Sequence, residues 1–134
     1  MDLRILEIAS NTENNKVIDN FTHKSKNKNP ICGDEMEISL IVKNDKVLDM
    51  GYQCNSCVYC QASVSLLSQK IKNKNLNEIK KFISSCENIF ENTKIVLEKN
   101  WNDFIELLDK KNLSRKDCLL LPLRTVLKAL KIQW

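Results

Sequence analysis

An α+β fold, a small antiparallel sheet packed against several helices, is predicted by three observations. Apolar residues alternate with polar ones over residues 36–42 and again over 48–52, the period of half-buried strands. Asn44-Asp45-Lys46 between them is a turn signal, so the two runs form a β-hairpin, with room in the sheet for a third strand. From Cys57 onward the apolar spacing widens to the helical one. Strands toward the front and helices behind define the class.

The elements follow in order. Leu3, Ile5, Leu6, Ile8 and Ala9 predict a short first helix, and Val17, Ile18 and Phe21 a further turn or two. A polar loop is expected through Asn29, its Lys-Asn run Lys24-Ser25-Lys26-Asn27-Lys28-Asn29 solvated. Pro30 forces an extended entry into Cys32-Gly33-Asp34. In the hairpin, Met36, Ile38, Leu40 and Val42 share a face with Leu48, Met50 and Tyr52 if Val42 opposes Leu48 and Leu40 opposes Met50. Extending that ladder sets Gly33 opposite Cys57 and Cys32 opposite Val58, at the open end of the hairpin. A helix starts near Cys57 and carries Cys60, Val64, Leu67 and Ile71. A second is expected from about Asn77 to Leu97, a third around Trp101, Phe104, Ile105 and Leu108, and a last from near Cys118 or Pro122 to Trp134.

Composition limits the reading further. The 134 residues are 43% hydrophobic, which suits one domain, residues 1–134, with its own core. Lys+Arg 21 against Asp+Glu 17 gives a net charge of only +4, dispersed rather than clustered with aromatics, so a nucleic-acid partner is not expected. No run approaches the length of a membrane span, and Met1-Asp2-Leu3-Arg4 does not read as a signal peptide. A cytoplasmic protein with reduced thiols is therefore expected.

Six cysteines in such a chain point to metal or sulfur chemistry. Cys86 falls on an apolar helix stripe and Cys54 shares parity with Met50 and Tyr52; both are read as packing residues. Cys54-x-x-Cys57-x-x-Cys60 resembles the opening of a ferredoxin cluster motif but lacks the fourth cysteine and proline, so Cys60 too is assigned to helix packing. No second Cys-x-x-Cys pair exists, and His23 is the sole histidine, which argues against a zinc finger. Cys57 is different, because a helix N-terminus stabilises a thiolate. Cys118 stands near another helix start, beside Arg115 and Lys116. Cys32 has Gly33 next to it, and Asp34 is either an oxygen ligand or the capping aspartate of a turn. Three thiolates and one carboxylate suit tetrahedral Zn²⁺ or a small iron–sulfur cluster.

Three motifs carry a family resemblance. Asn29-Pro30-Ile31-Cys32-Gly33-Asp34, Cys57-Val58-Tyr59-Cys60-Gln61-Ala62-Ser63 and Arg115-Lys116-Asp117-Cys118-Leu119-Leu120-Leu121-Pro122 resemble, in order, the three ligand motifs of the U-type iron–sulfur cluster assembly scaffolds. These comprise the NifU N-terminal domain and the IscU and SufU types. In that register Ala62-Ser63 makes Cys57 the ligand and puts Cys60 at a small-residue position of the helix. Asp117 stands where the IscU type has histidine, and the Leu-Pro-Pro-Val-Lys segment of that type is missing. The long stretch from Cys57 to Cys118 is more similar to the SufU type.

The resemblance implies a scaffold or carrier rather than an ordinary enzyme. It would accept sulfur from a cysteine desulfurase, bind iron, and assemble a labile [2Fe–2S]-type cluster at Cys32, Asp34, Cys57 and Cys118. The cluster would then pass to apo iron–sulfur acceptor proteins. A zinc-dependent persulfide relay beside the desulfurase is the alternative, with sulfurtransferase activity and Zn²⁺ on the same residues. More distant readings are an electron-transfer protein using the Cys54/Cys57/Cys60 triplet and a structural zinc domain.

Overall fold

The computed structural model describes residues 3–30, 33–91 and 99–132. The elements run α1 (Leu3–Ala9), β1 (His23–Lys28), β2 (Glu35–Lys43), β3 (Lys46–Asn55), α2 (Val58–Lys70), α3 (Leu76–Glu87), three short 3-10 segments (Ile89–Glu91, Lys99–Phe104, Lys110–Arg115) and α4 (Lys116–Ile132). The three strands form one antiparallel sheet in the order β1-β2-β3. This is the α+β architecture expected, with the third strand present. Helices α2 and α4 pack against the sheet and each other, and the buried side chains of sheet and helices join in one core.

The hairpin shows how two local rules are reconciled. Asn44 and Asp45 both take positive φ, 54° and 61°, as a two-residue primed turn requires. That turn pairs Lys43 with Lys46 and Val42 with Val47. The buried face instead demands Leu40 opposite Met50, which is the pairing found. The two registers differ by one residue, and an irregularity between Ile41 and Val42 absorbs the difference. The expected Val42–Leu48 pair is therefore replaced by Val42–Val47. Val47 is buried, while Leu48 is 45% exposed.

Other expectations need correction. The Lys-Asn run is a strand, not a loop. Its ladder to β2 runs from His23↔Leu40 to Lys28↔Glu35. Lys24 and Lys26 pair with Glu37, and Lys28 with Glu35, on the outward face. The inward Ser25 hydroxyl donates to the Thr125 carbonyl at 2.7 Å, tying β1 to α4. A polar strand of this kind is specified by its neighbours rather than by apolar alternation. Lysines also suit an edge strand, where they discourage further pairing.

Residues 17–21 form no helical turn. The segment before β1 runs beside β3, where the Asn14 carbonyl accepts from the Tyr52 N–H at 3.2 Å. A Cβ at Gly51 would meet the Lys16 carbonyl oxygen at 2.6 Å, so only glycine permits this approach. Helix α3 starts with Asn75, whose side chain accepts from the Asn77 N–H at 2.8 Å, and ends at Glu87, well before Leu97. Residues 92–97 of that expected helix lie outside the described residues. The Trp101 region is 3-10 and turn rather than α-helix. It is held by packing: Trp101 stacks on Phe82 at 4.1 Å between centroids, and Phe104 leans on both rings. Helix α4 begins at Lys116 and contains Pro122. No described helix is long and apolar enough to cross a membrane.

Candidate metal centre

Two helix starts and one loop converge at the open end of the hairpin. The ligand atoms of Asp34, Cys57 and Cys118 all lie within 4.8 Å of one another. Cys32, the remaining member of the expected set, lies outside the described residues.

Asp34 is placed by the loop before β2. The Gly33 N–H donates to the Asn29 carbonyl and the Asn29 N–H to the Asp34 carbonyl, both at 2.8 Å. Gly33 turns the chain at φ 77°, a region that glycine enters without strain. Asp34 is only 6% exposed. Its Oδ1 accepts from the Cys57 N–H at 3.1 Å. The carboxylate thus caps α2 across the hairpin rather than its own turn. Its Oδ2 is buried and has no hydrogen-bond partner among the described residues. Burying a carboxylate oxygen in that state is costly, and a bound cation is one partner that would offset the cost.

Cys57 is the N-cap of α2, with extended backbone (φ −71°, ψ 167°). Its thiol makes no capping hydrogen bond, so the sulfur is available to the cluster of ligand atoms. Cys118 sits in the first turn of α4 and is 5% exposed. Both sulfurs therefore stand at helix starts. Pro122, lacking an N–H, leaves the α-helical bond to the Cys118 carbonyl unmade.

The neighbouring charges are arranged by contacts that no local pattern announces. Arg124 grips Glu87 of α3 with two bonds, 2.7 and 2.9 Å, and reaches Asp117 at 3.3 Å. Its guanidinium holds the Glu87 carboxyl below the ordinary carboxylate range. Arg115 lies over the Tyr59 ring at 5.2 Å. The motif residues Arg115 and Asp117, just before Cys118, are thus linked to the first turn of α2 and, through Arg124, to α3.

The other thiols divide by burial. Cys60 and Cys86 are fully buried. Burial pushes the Cys60 thiol far up, and the Cys86 thiol up to about 12. Cys54 is half-buried on the inward row with Met36. Among the described residues none of these three joins the ligand group, so the Cys54/Cys57/Cys60 triplet is not gathered as a cluster site. His23 stands apart on β1, its Nδ1 at 2.9 Å from the Thr22 hydroxyl.

The chain is similar to several known proteins. The model of the NifU-like N terminal domain matches residues 2–101, and the chain belongs to that family. A Thermotoga maritima protein named as the iron–sulfur cluster assembly scaffold IscU is 30% identical over 95% of this chain and 89% of its own length. An uncharacterised Borreliella burgdorferi protein is 30% identical over 80% of this chain and 70% of its own. Among solved structures, one from Fervidobacterium islandicum, described as a cluster assembly scaffold for the SUF system, superposes with TM-score 0.88 and 26% identity. It is covered to 96%, and this chain to 97%. The N-terminal part of a NifU-like protein from Brucella abortus shares the fold at TM-score 0.90 and 18% identity, over 98% of this chain and 92% of that one.

Proposed function

We propose that this chain is an iron–sulfur cluster assembly scaffold of one domain, residues 1–134, acting in a reducing compartment such as the cytoplasm. Sulfur arrives from a cysteine desulfurase as a persulfide. Iron binds at Cys32, Asp34, Cys57 and Cys118, a [2Fe–2S]-type cluster is built there as cargo, and an apo acceptor protein takes it away. The observation that carries this reading is the Asp34 carboxylate. One oxygen is spent on the Cys57 N–H and the other is buried without a partner among the described residues, beside two thiols at helix starts. A carboxylate is the hardest donor in a sulfur-rich set and the weakest partner for soft iron, which suits a site that must release what it assembles.

A second reading keeps the same residues and replaces the cargo with resident Zn²⁺, the protein relaying persulfide for the desulfurase. It is favoured by the compact ligand group, which suits one tetrahedral ion. Anaerobic reconstitution with iron and a desulfurase, followed by transfer to apo-ferredoxin, separates the two. Visible cluster absorbance with transfer supports the scaffold. Zinc retention with neither supports the relay. In both readings Cys57→Ala and Cys118→Ala abolish metal retention; unchanged metal content in both variants overturns the site.

A further inference from the structure

The α2 start carries a second thiol that neither reading above uses. Cys57-Val58-Tyr59-Cys60 places one cysteine at the N-cap and the other at the third helical residue. These two positions are the reciprocal pair of a capping box, whose side chains reach toward each other. Side chains three apart on a helix have Cβ atoms about 5–6 Å apart. A disulfide needs about 3.5–4.5 Å, so closure asks only a small shift in the first turn. Cys57 can supply it, since its backbone is extended and its thiol makes no cap bond.

The two sulfurs differ in access. Cys57 is half-buried at the metal centre, whereas Cys60 is fully buried. An incoming sulfur donor can reach the first and not the second. Cys60 can react only with a neighbour already inside the protein. Cys60 belongs to the hydrophobic core, and the nearby Asp34 Oδ2 and Ser56 Oγ are both buried with no hydrogen-bond partner of good geometry among the described residues. Burial pushes the Cys60 thiol far up and the Asp34 carboxylate adds to this, with the Ser56 hydroxyl opposing both, so Cys60 enters the reaction as the protonated thiol.

We propose that Cys60 is a resolving thiol that attacks a persulfide on Cys57, releasing sulfide at the metal centre and leaving a Cys57–Cys60 disulfide. The Cys60 sulfur bonds to Cys57 Sγ, and the bond from Sγ to the outer sulfur breaks. The outer sulfur leaves with the bonding pair and takes the Cys60 proton, departing as hydrogen sulfide. It gains two electrons, and the two cysteine thiols together lose two. The reduction of sulfane sulfur to sulfide therefore needs no outside reductant in that step. A dithiol reductant reopens the disulfide before the next turn. The inference rests on the scaffold reading and adds to it the source of the sulfide electrons.

Anaerobic loading with glutathione persulfide, followed by rapid desalting, tests it. Released sulfide is measured colorimetrically and disulfides are mapped by non-reducing peptide mass spectrometry. The wild-type chain should release sulfide and yield a Cys57–Cys60 cross-link. Cys60→Ala and Cys60→Ser should instead keep an extra sulfur on Cys57 and release sulfide about tenfold more slowly. Cys54→Ala, which alters a thiol lining the open groove between Lys28 and Lys128, should behave as wild type. Zinc binding by the Cys60 variants checks that the site has folded. Equal sulfide release by wild type and both Cys60 variants, or a cross-link mapping to Cys54, overturns the proposal. Persulfide on Cys57 in the variants leaves the scaffold reading standing in that event. Failure of Cys57 to take sulfur in every form of the protein overturns the proposal, while the scaffold reading stands or falls on the reconstitution above.

Discussion

At the scale of the residue, Asp34 does two jobs with two oxygens. Oδ1 fixes the start of α2 and Oδ2 stays available. Replacing it separates them. Asp34→Cys puts a soft ligand in the hard position, so the reconstituted cluster should persist about tenfold longer and transfer more slowly to apo-ferredoxin, as read by visible absorbance. A cluster lost as fast as from wild type would mean that the carboxylate does not set lability. Arg124 offers a second test at this scale. Glu87 has its pKa lowered from 4.5, first by its hydrogen bond to Arg124. A lowered folded value contributes stability above the ordinary carboxylate range, and that contribution disappears as pH falls through the lowered value. Both side chains are 37% exposed, so the effect is under about 1 kcal/mol. Arg124→Met should remove this part of the acid-side slope in urea unfolding measured from neutral pH downward, and an unchanged slope would show the pair to be inert.

At the scale of the element, the sheet depends on approaches that no single strand contains. The segment before β1 reaches β3 only because Gly51 has no side chain. Gly51→Ala should lower stability by about 1–3 kcal/mol through overpacking against backbone. Chemical denaturation checks this, and a midpoint equal to that of wild type would show that the segment moves aside at no cost. The sequence shows the hairpin well, since alternation and the Asn44-Asp45 turn are both local. It misses the exposed Leu48, because turn geometry and buried face demand registers one residue apart. It misses β1 for a different reason. Lys24, Lys26 and Lys28 face solvent and glutamates, and Ser25 is satisfied by α4, so apolar alternation is absent. The Trp101 segment has helical spacing, yet stacking on Phe82 is compatible with 3-10 turns as well.

At the scale of the molecule, one buried core passes through sheet, α2, α3 and α4. Removal of metal by a chelator should therefore leave far-ultraviolet circular dichroism nearly unchanged, with a modest loss of thermal stability. Global unfolding on chelation would restore the structural zinc domain. The core also explains why two helix starts can be brought together. α2 is buried on most of its surface by small residues such as Ala62, Ser63 and Ser65. The Ser63 hydroxyl donates to the Leu119 carbonyl at 2.6 Å, one residue beyond Cys118.

By itself the sequence determined the α+β class, the Leu40–Met50 register, the helix start at Cys57 and the three cysteine motifs. These rest on periodicity, turn chemistry and capping, which act between near neighbours. Only the tertiary structure decided that Asp34 caps α2 across the hairpin, that Cys118 comes within 4.8 Å of Cys57 and Asp34, and that a lysine-rich run completes the sheet. Those facts depend on contacts between segments far apart in the chain, where burial and hydrogen bonding select a partner that local pattern does not name.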